Sequence, residues 1–372
     1  MNPSNRIYFL DNFRAVVIFF VIVLHASMSY MAFAPEWWYV IDPQSSLFFT
    51  AVVLLIDVPI MLILFFIAGY FAFPSLSKRG PAQFLKDKFV RIGLPWLFGV
   101  LVLAPPITYM VYFSRDIPVS LMEFWRNDFW GPLYQQSVYW FLGILFLFFV
   151  LLSLVYVLSA HLRAVQQKIV QPTWFLLVGF ILLMTAGFLT MNFFFPLDTW
   201  SNANRIFVFQ PLRTPLYIGY FVLGLYAYQA GWFTDNGYHP RLLVWLPILI
   251  VSGLLYLGYR FTIPGPTQTT VVLKAGNALL FNIYCFSSLL GGAALLQRLF
   301  NTGSPLWKSL AGSSFGIYYL HPLFLFPLAF MFVALPLSIF LKALLLIVLT
   351  MLLSWAGTAL VLKKLPFVRQ IF

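Results

Sequence analysis

Ten stretches of about 20 largely apolar residues, set apart by charged or turn-forming residues, decide what this 372-residue chain can fold into. A run of that length crosses the ~30 Å hydrocarbon core of a bilayer as a helix, because a helix satisfies its own backbone hydrogen bonds there. The stretches fall at roughly 13–34, 47–73, 92–113, 138–158, 173–195, 213–230, 242–261, 274–297, 313–333 and 336–362. Only Ala334–Pro336 separates the last two, so they form either a tight hairpin or one unit. With 62% hydrophobic and 9% charged residues, an ordinary soluble domain is excluded. The expected fold is an all-α, polytopic integral membrane protein of about ten transmembrane helices. No internal repeat or long hydrophilic segment divides it, so residues 1–372 read as a single membrane-embedded domain.

Charge gives the orientation. Arg6, Lys78, Arg79, Lys86, Lys88, Arg91, Arg163, Lys168, Arg241, Arg298, Lys308, Lys363, Lys364 and Arg369 fall on one side of the expected spans. Arg115, Arg126 and Arg205 fall on the other. The positive-inside rule then places both termini in the cytoplasm. It also accounts for the net charge of +12, which in a soluble protein would suggest a nucleic-acid partner. The opposite loops are aromatic, with Trp37, Trp38 and Tyr39 in one and Trp125, Trp130 and Tyr134 in another. Ala32-Phe33-Ala34 resembles a signal cleavage site, but Pro35, Asp11 and His25 argue for an uncleaved first span. The single cysteine, Cys285, provides neither a disulfide framework nor a thiolate metal site.

Arg14 and His25 carry the strongest functional signal. Eleven positions on a helix are about three turns, so the two side chains point the same way, roughly 16 Å apart. Arg14 then stands at a membrane boundary, and His25 lies about half-way through the first span. A buried neutral imidazole there is a candidate general base, or a packing histidine bonded to a neighbouring helix. Asp57, two residues before Pro59, reaches deep into the second span and needs a partner. That partner is His25, as in hydrolase triads, or else an arginine in a structural ion pair. His321, just before Pro322, lies two turns into the ninth span, where it shapes the pocket, meets a donor or packs a kink. Lys88 and Arg91, three apart on one face, form with Arg14 a cationic mouth for a phosphate-bearing ligand; lipid headgroups are the simpler partner by spacing alone. Trp140 and Arg213, at the outer ends of the fourth and sixth spans, suit a sugar, and an interfacial aromatic belt accounts for the tryptophan equally well. Gly291-Gly292 reads as close helix packing. His161 and His239, in basic loops, are expected to be solvated.

Four segments together resemble the acyltransferase-3 family of membrane O-acyltransferases along almost the whole chain. They are Leu10–Arg14 followed by ten residues and His25, Asp57 with Phe65-Phe66-Ile67-Ala68-Gly69-Tyr70, Tyr139–Leu142, and Phe315–Pro322. Ala68 replaces that family's usual serine, and its paired-arginine motif appears here as Lys88-x-x-Arg91, which keeps charge but loses bidentate geometry. The segment 91–106 is most similar to members that modify periplasmic glucans. The resemblance implies transfer of an acetyl or succinyl group from acyl-CoA to a hydroxyl of an extracytoplasmic carbohydrate, in a bacterial inner membrane and without metal. It also implies roles: Arg14, Lys88, Arg91 and His321 toward acyl-CoA, His25 and Asp57 in catalysis, Trp140 and Arg213 toward the acceptor. Direct transfer and an acyl-histidine intermediate both stay open. The competing class is a proton-coupled transporter or flippase, which buried His25, Asp57 and His321 and helices broken at Pro59 and Pro322 would suit.

Overall fold

The computed structural model describes residues 7–131, 133–160, 163 and 167–372; Arg6 and His161 lie outside them. The chain is built from helices α1 (Tyr8–Met28), α2 (Leu47–Asp57), α3 (Ile60–Arg79), α4 (Pro81–Lys88), α5 (Leu94–Phe98), α6 (Ala104–Phe113) and α7 (Leu121–Asn127), followed by α8 (Trp140–Leu158), α9 (Trp174–Asn192), α10 (Thr214–Gln229), α11 (Leu242–Thr262), α12 (Val271–Leu299), α13 (Pro305–Val333) and α14 (Ile339–Ala356). Among the described residues, nine helical units are long and apolar enough to cross a membrane. The remaining expected span is α10, which has 16 residues behind a 3-10 turn at Pro211–Arg213 and packs along α3. The fold is therefore that of an all-α multi-pass membrane protein. Its last two spans are a tight hairpin, turning at 334–338.

Prolines set the irregularities. Pro59 parts α2 from α3 within one continuous unit, Leu47–Arg79. The third span runs Pro81–Phe113, and π-turns occupy Phe89–Gly93 and Gly99–Leu103. Each π-turn sits just upstream of a proline, Pro95 or Pro105, where widening the turn relieves the clash between the ring and the preceding carbonyl.

Glycines set the closest approaches. A Cβ on Gly69 of α3 would lie 2.1 Å from the Phe221 carbonyl oxygen of α10, and one on Gly224 would lie 2.1 Å from that of Phe66. The two helices touch backbone to backbone, which explains the glycine of the Phe65–Tyr70 element. Gly291 lies against Trp245 and Gly292 against Phe13, as close packing requires.

The loop face also holds a short antiparallel hairpin, β1 (Ser201–Ala203) and β2 (Phe207–Phe209), which the apolar pattern does not foretell. Phe207 stacks on Trp96 with ring planes 2° apart, so the hairpin lies against the middle of the third span. The opposite face collects both ends of the described chain. Asn12 donates to the carbonyls of Phe300 and Thr302 before α13, and Phe372 stacks on Phe315 within α13.

Because only backbone faces Gly69 and Gly224, no side chain can yield to a larger residue. Gly224→Val should lower the thermal unfolding midpoint in detergent by several degrees, equivalent to roughly 1–3 kcal/mol. An unchanged midpoint would refute the backbone contact.

Candidate active site

Pro322 assembles the centre of the site. It has no N–H, so the Tyr318 carbonyl one turn earlier on α13 loses its helical donor. His321 supplies a replacement: its Nδ1 is 2.6 Å from that carbonyl oxygen. A carbonyl only accepts, so Nδ1 carries the hydrogen and the Nε2 of neutral His321 is an acceptor. His25 Nδ1 lies 3.0 Å from that Nε2 and must therefore donate. The remaining nitrogen of neutral His25, Nε2, is left with a lone pair. A chain of two hydrogen bonds, begun by a proline, thus sets the tautomer of each ring.

The rings stack at 5.1 Å, and His321 is fully buried. Tyr318 and Tyr319 lock this part of α13 in place: Tyr318 donates to the Val138 carbonyl, Tyr319 donates to that of Pro95, and Tyr139 donates to that of Tyr319. His25 does not lie half-way along its helix. It sits in the last turn of α1, and the loop 29–46 covers it. Trp38 of that loop stacks on the His25 ring at 5.7 Å and is itself buried. Arg115 donates to the carbonyls of Glu36 and Trp38, Ser114 donates to that of Tyr39, and a buried Asp42–Lys342 ion pair pins the loop to α14. Sequence reasoning missed Trp38 as a neighbour of His25 because they belong to different elements.

Arg14 lies on the same face of α1, three turns earlier, as its spacing required. Its Nε donates to the Ser314 hydroxyl (3.1 Å) and its Nη2 to the Ala311 carbonyl, both on α13; Asp11 is 3.5 Å away. Thus α1 meets α13 at Arg14–Ser314 and again at His25–His321. Lys363 joins the first contact, donating to Ser313 beside Ser314. It had counted only toward orientation, and nothing in its local sequence marks it as a partner of α13.

Four expectations are corrected. Asp57 does not pair with His25. Its carboxylate is bonded by Arg213, which also donates to its carbonyl at 3.0 Å. The break at Pro59 leaves that carbonyl open, and a guanidinium serves carboxylate and carbonyl together, which an imidazole cannot. The Nδ1 of His25 is in any case engaged by His321. Arg213 and Trp140 do not face outward either. The arginine side chain is 7% exposed, over the Phe281 ring, and Trp140 is packed against Trp200 and Tyr217. Lys88 and Arg91 diverge: the Lys88 ammonium lies 4.3 Å from the Phe149 ring centre on α8, whereas Arg91 is exposed, because the π-turn between them breaks the shared face. His239 is not merely solvated, being held by the Thr234 carbonyl and Gln297.

With this geometry in view, comparison with known proteins is decisive on class. The chain belongs to the acyltransferase-3 family, whose acyltransferase-domain model matches residues 7–359. Its helices make it a multi-pass membrane member of that family. It is similar to the glucans biosynthesis protein C of Shigella boydii serotype 4 and of Escherichia coli K12, each 28% identical over 145 residues. The corresponding protein of Escherichia coli O6:K15:H31 is 27% identical over the same length. These matches cover 38% of this chain and 37% of each relative, so the similarity spans little more than a third of either protein. No solved structure matches.

If Asp57 serves Arg213 rather than His25, Asp57→Leu should destabilise the protein by leaving a buried guanidinium with only the more distant Asp198 carboxylate, 3.7 Å away. Adding Arg213→Met should recover most of the loss. Thermal unfolding of the two variants in detergent tests this, and a double variant no more stable than the single one would refute it.

Proposed function

We propose that this protein transfers a short acyl group, acetyl or succinyl, from cytoplasmic acyl-coenzyme A to a hydroxyl of an extracytoplasmic carbohydrate, in the inner membrane of a bacterium. The observation that carries the mechanism is the His25–His321–Tyr318 chain, which leaves His25 Nε2 with the one lone pair not engaged within the pair. That nitrogen takes the proton of the acceptor hydroxyl as its oxygen attacks the thioester carbonyl. The new ester forms, the carbon–sulfur bond breaks, and the proton passes from His25 to the leaving thiolate. His321 fills the position an aspartate holds in hydrolase triads. It fixes the ring and accepts from Nδ1 while imidazolium forms.

The rest of the reading is directional. The basic face holding both ends of the described chain is the cytoplasmic one by the positive-inside rule. There Arg14, with Lys363 close by through Ser313 and Ser314, is the anchor for coenzyme A phosphates. Exposed Arg91 extends that cationic rim, whereas Lys88 is turned onto the Phe149 ring. The pantetheine arm spans roughly the 16 Å from Arg14 to His25. The carbohydrate acceptor is supported by the name of the glucans biosynthesis relatives. The same nitrogen serves direct attack as a base and an acyl-histidine route as a nucleophile.

Purified protein in vesicles, given labelled acetyl- or succinyl-CoA and gluco-oligosaccharides, should form labelled ester. His25→Ala should abolish the transfer while leaving coenzyme A binding intact. His321→Ala should lower kcat by about 10²–10⁴. Retained activity in His25→Ala would sink the mechanism. Acyl-protein accumulating without acceptor would replace direct attack by the two-step route.

A further inference from the structure

The Asp57–Arg213 pair does not stand alone. Arg213 is also 3.7 Å from Asp198, which is 3.2 Å from Arg260 at the loop-side end of α11. Two carboxylates and two guanidinia therefore alternate in a chain from within the second span to the loop face. Its carboxylates are open, Asp57 being 35% and Asp198 55% exposed, while the arginines are buried. Four balanced charges suit a neutral polar ligand better than an anion.

Beside this chain lie hydrogen-bonding atoms without a partner among the described residues. Neither amide atom of Asn277, on α12, has such a partner, although the residue is fully buried. Asn192 Nδ2 on α9 and Arg260 Nε on α11 are unmatched as well. Neighbouring contacts bring the three together. One turn below Asn277, Phe281 packs on Phe188 of α9, on Tyr256 of α11 and under Arg213. One turn above it, Lys274 donates to the Asn192 carbonyl, and Tyr259 of α11 donates to the Leu273 carbonyl. Buried polar atoms in folded proteins are nearly always paired, so a junction of three helices with several unmatched donors and an acceptor is built for a ligand carrying both. Trp200, two residues from Asp198, forms with Trp140 and Tyr217 an adjoining aromatic wall.

We infer that the junction of α9, α11 and α12, with the Asp57–Arg213–Asp198–Arg260 chain, is the acceptor subsite, binding a neutral sugar ring through its vicinal hydroxyls. Each hydroxyl both donates and accepts, which matches two amides, two guanidinia and two carboxylates; aromatic faces match the ring's C–H surface. The inference rests on the carbohydrate reading proposed above and assigns Asn277, Asn192 and Arg260 to it.

Unpartnered amides give a clean test, because exchanging them for an apolar residue of similar size removes ligand contacts without breaking any within the protein. Binding of short gluco-oligosaccharides to the full-length protein in detergent is measured by calorimetry, with acyl transfer measured in parallel. Asn277→Leu and, on a separate helix, Asn192→Leu should each weaken binding about tenfold or more and raise KM alike. The kcat at saturating acceptor and the unfolding temperature should hold. Should Asn277→Leu fail to fold, Asn192→Leu alone decides the matter. Affinities within twofold of wild type in the folded variants would overturn the subsite while leaving the carbohydrate reading intact. Wild-type protein that neither binds nor acylates any gluco-oligosaccharide would overturn both.

Discussion

A backbone carbonyl inside an apolar span has no water to turn to, and the organisation of this protein follows from how it meets that constraint at its prolines. Pro322 strips the Tyr318 carbonyl of its donor, and His321 replaces it. Pro59 does the same at Leu55, whose carbonyl accepts from Tyr284, and the adjoining Asp57 carbonyl accepts from Arg213. Each break thus draws a polar side chain into a region where polar groups are otherwise excluded, and fixes its direction. The histidine pair and the buried ion-pair chain are two outcomes of this one rule.

These two polar systems occupy different helix junctions. The histidine pair sits between α1 and α13, in line with Arg14 and Ser314. The ion pairs sit between α2, α10 and α11, flanked by aromatic rings. A triad-like device without a carboxylate is physically reasonable in such surroundings. A buried anion would need its own compensation, whereas a neutral imidazole held by a carbonyl orients its partner without it.

Much of the fold was legible because helix length, apolar composition and basic loops are local properties. The Arg14–His25 relation was legible too, since both lie on one helix and share a face. Partner choice was not. Sequence proximity made Asp57 the economical mate for His25, but the Pro59 break created a carbonyl–carboxylate pair fitted to a guanidinium. The arginine alternative was visible in kind, though nothing singled out Arg213. A histidine directly before a proline and three residues after a tyrosine held the missing clue, because that spacing places its ring at the one carbonyl the proline frees. The 201–209 hairpin and the roof formed by Trp38 depend on long-range packing that no periodicity records.

The glycine contact of α3 with α10 has a mechanical consequence. Where backbones touch, no layer of side chains remains to slide or repack, so the two helices behave as one girder. Arg213 immediately precedes one member and Asp57 stands three residues ahead of the other, so that salt link is braced at its root. Helix α1 meets α13 through arginine, serine and histidine side chains, a compliant seam by comparison. Any breathing of the helices would be taken up along that seam, leaving the girder as the fixed datum against which the histidines move.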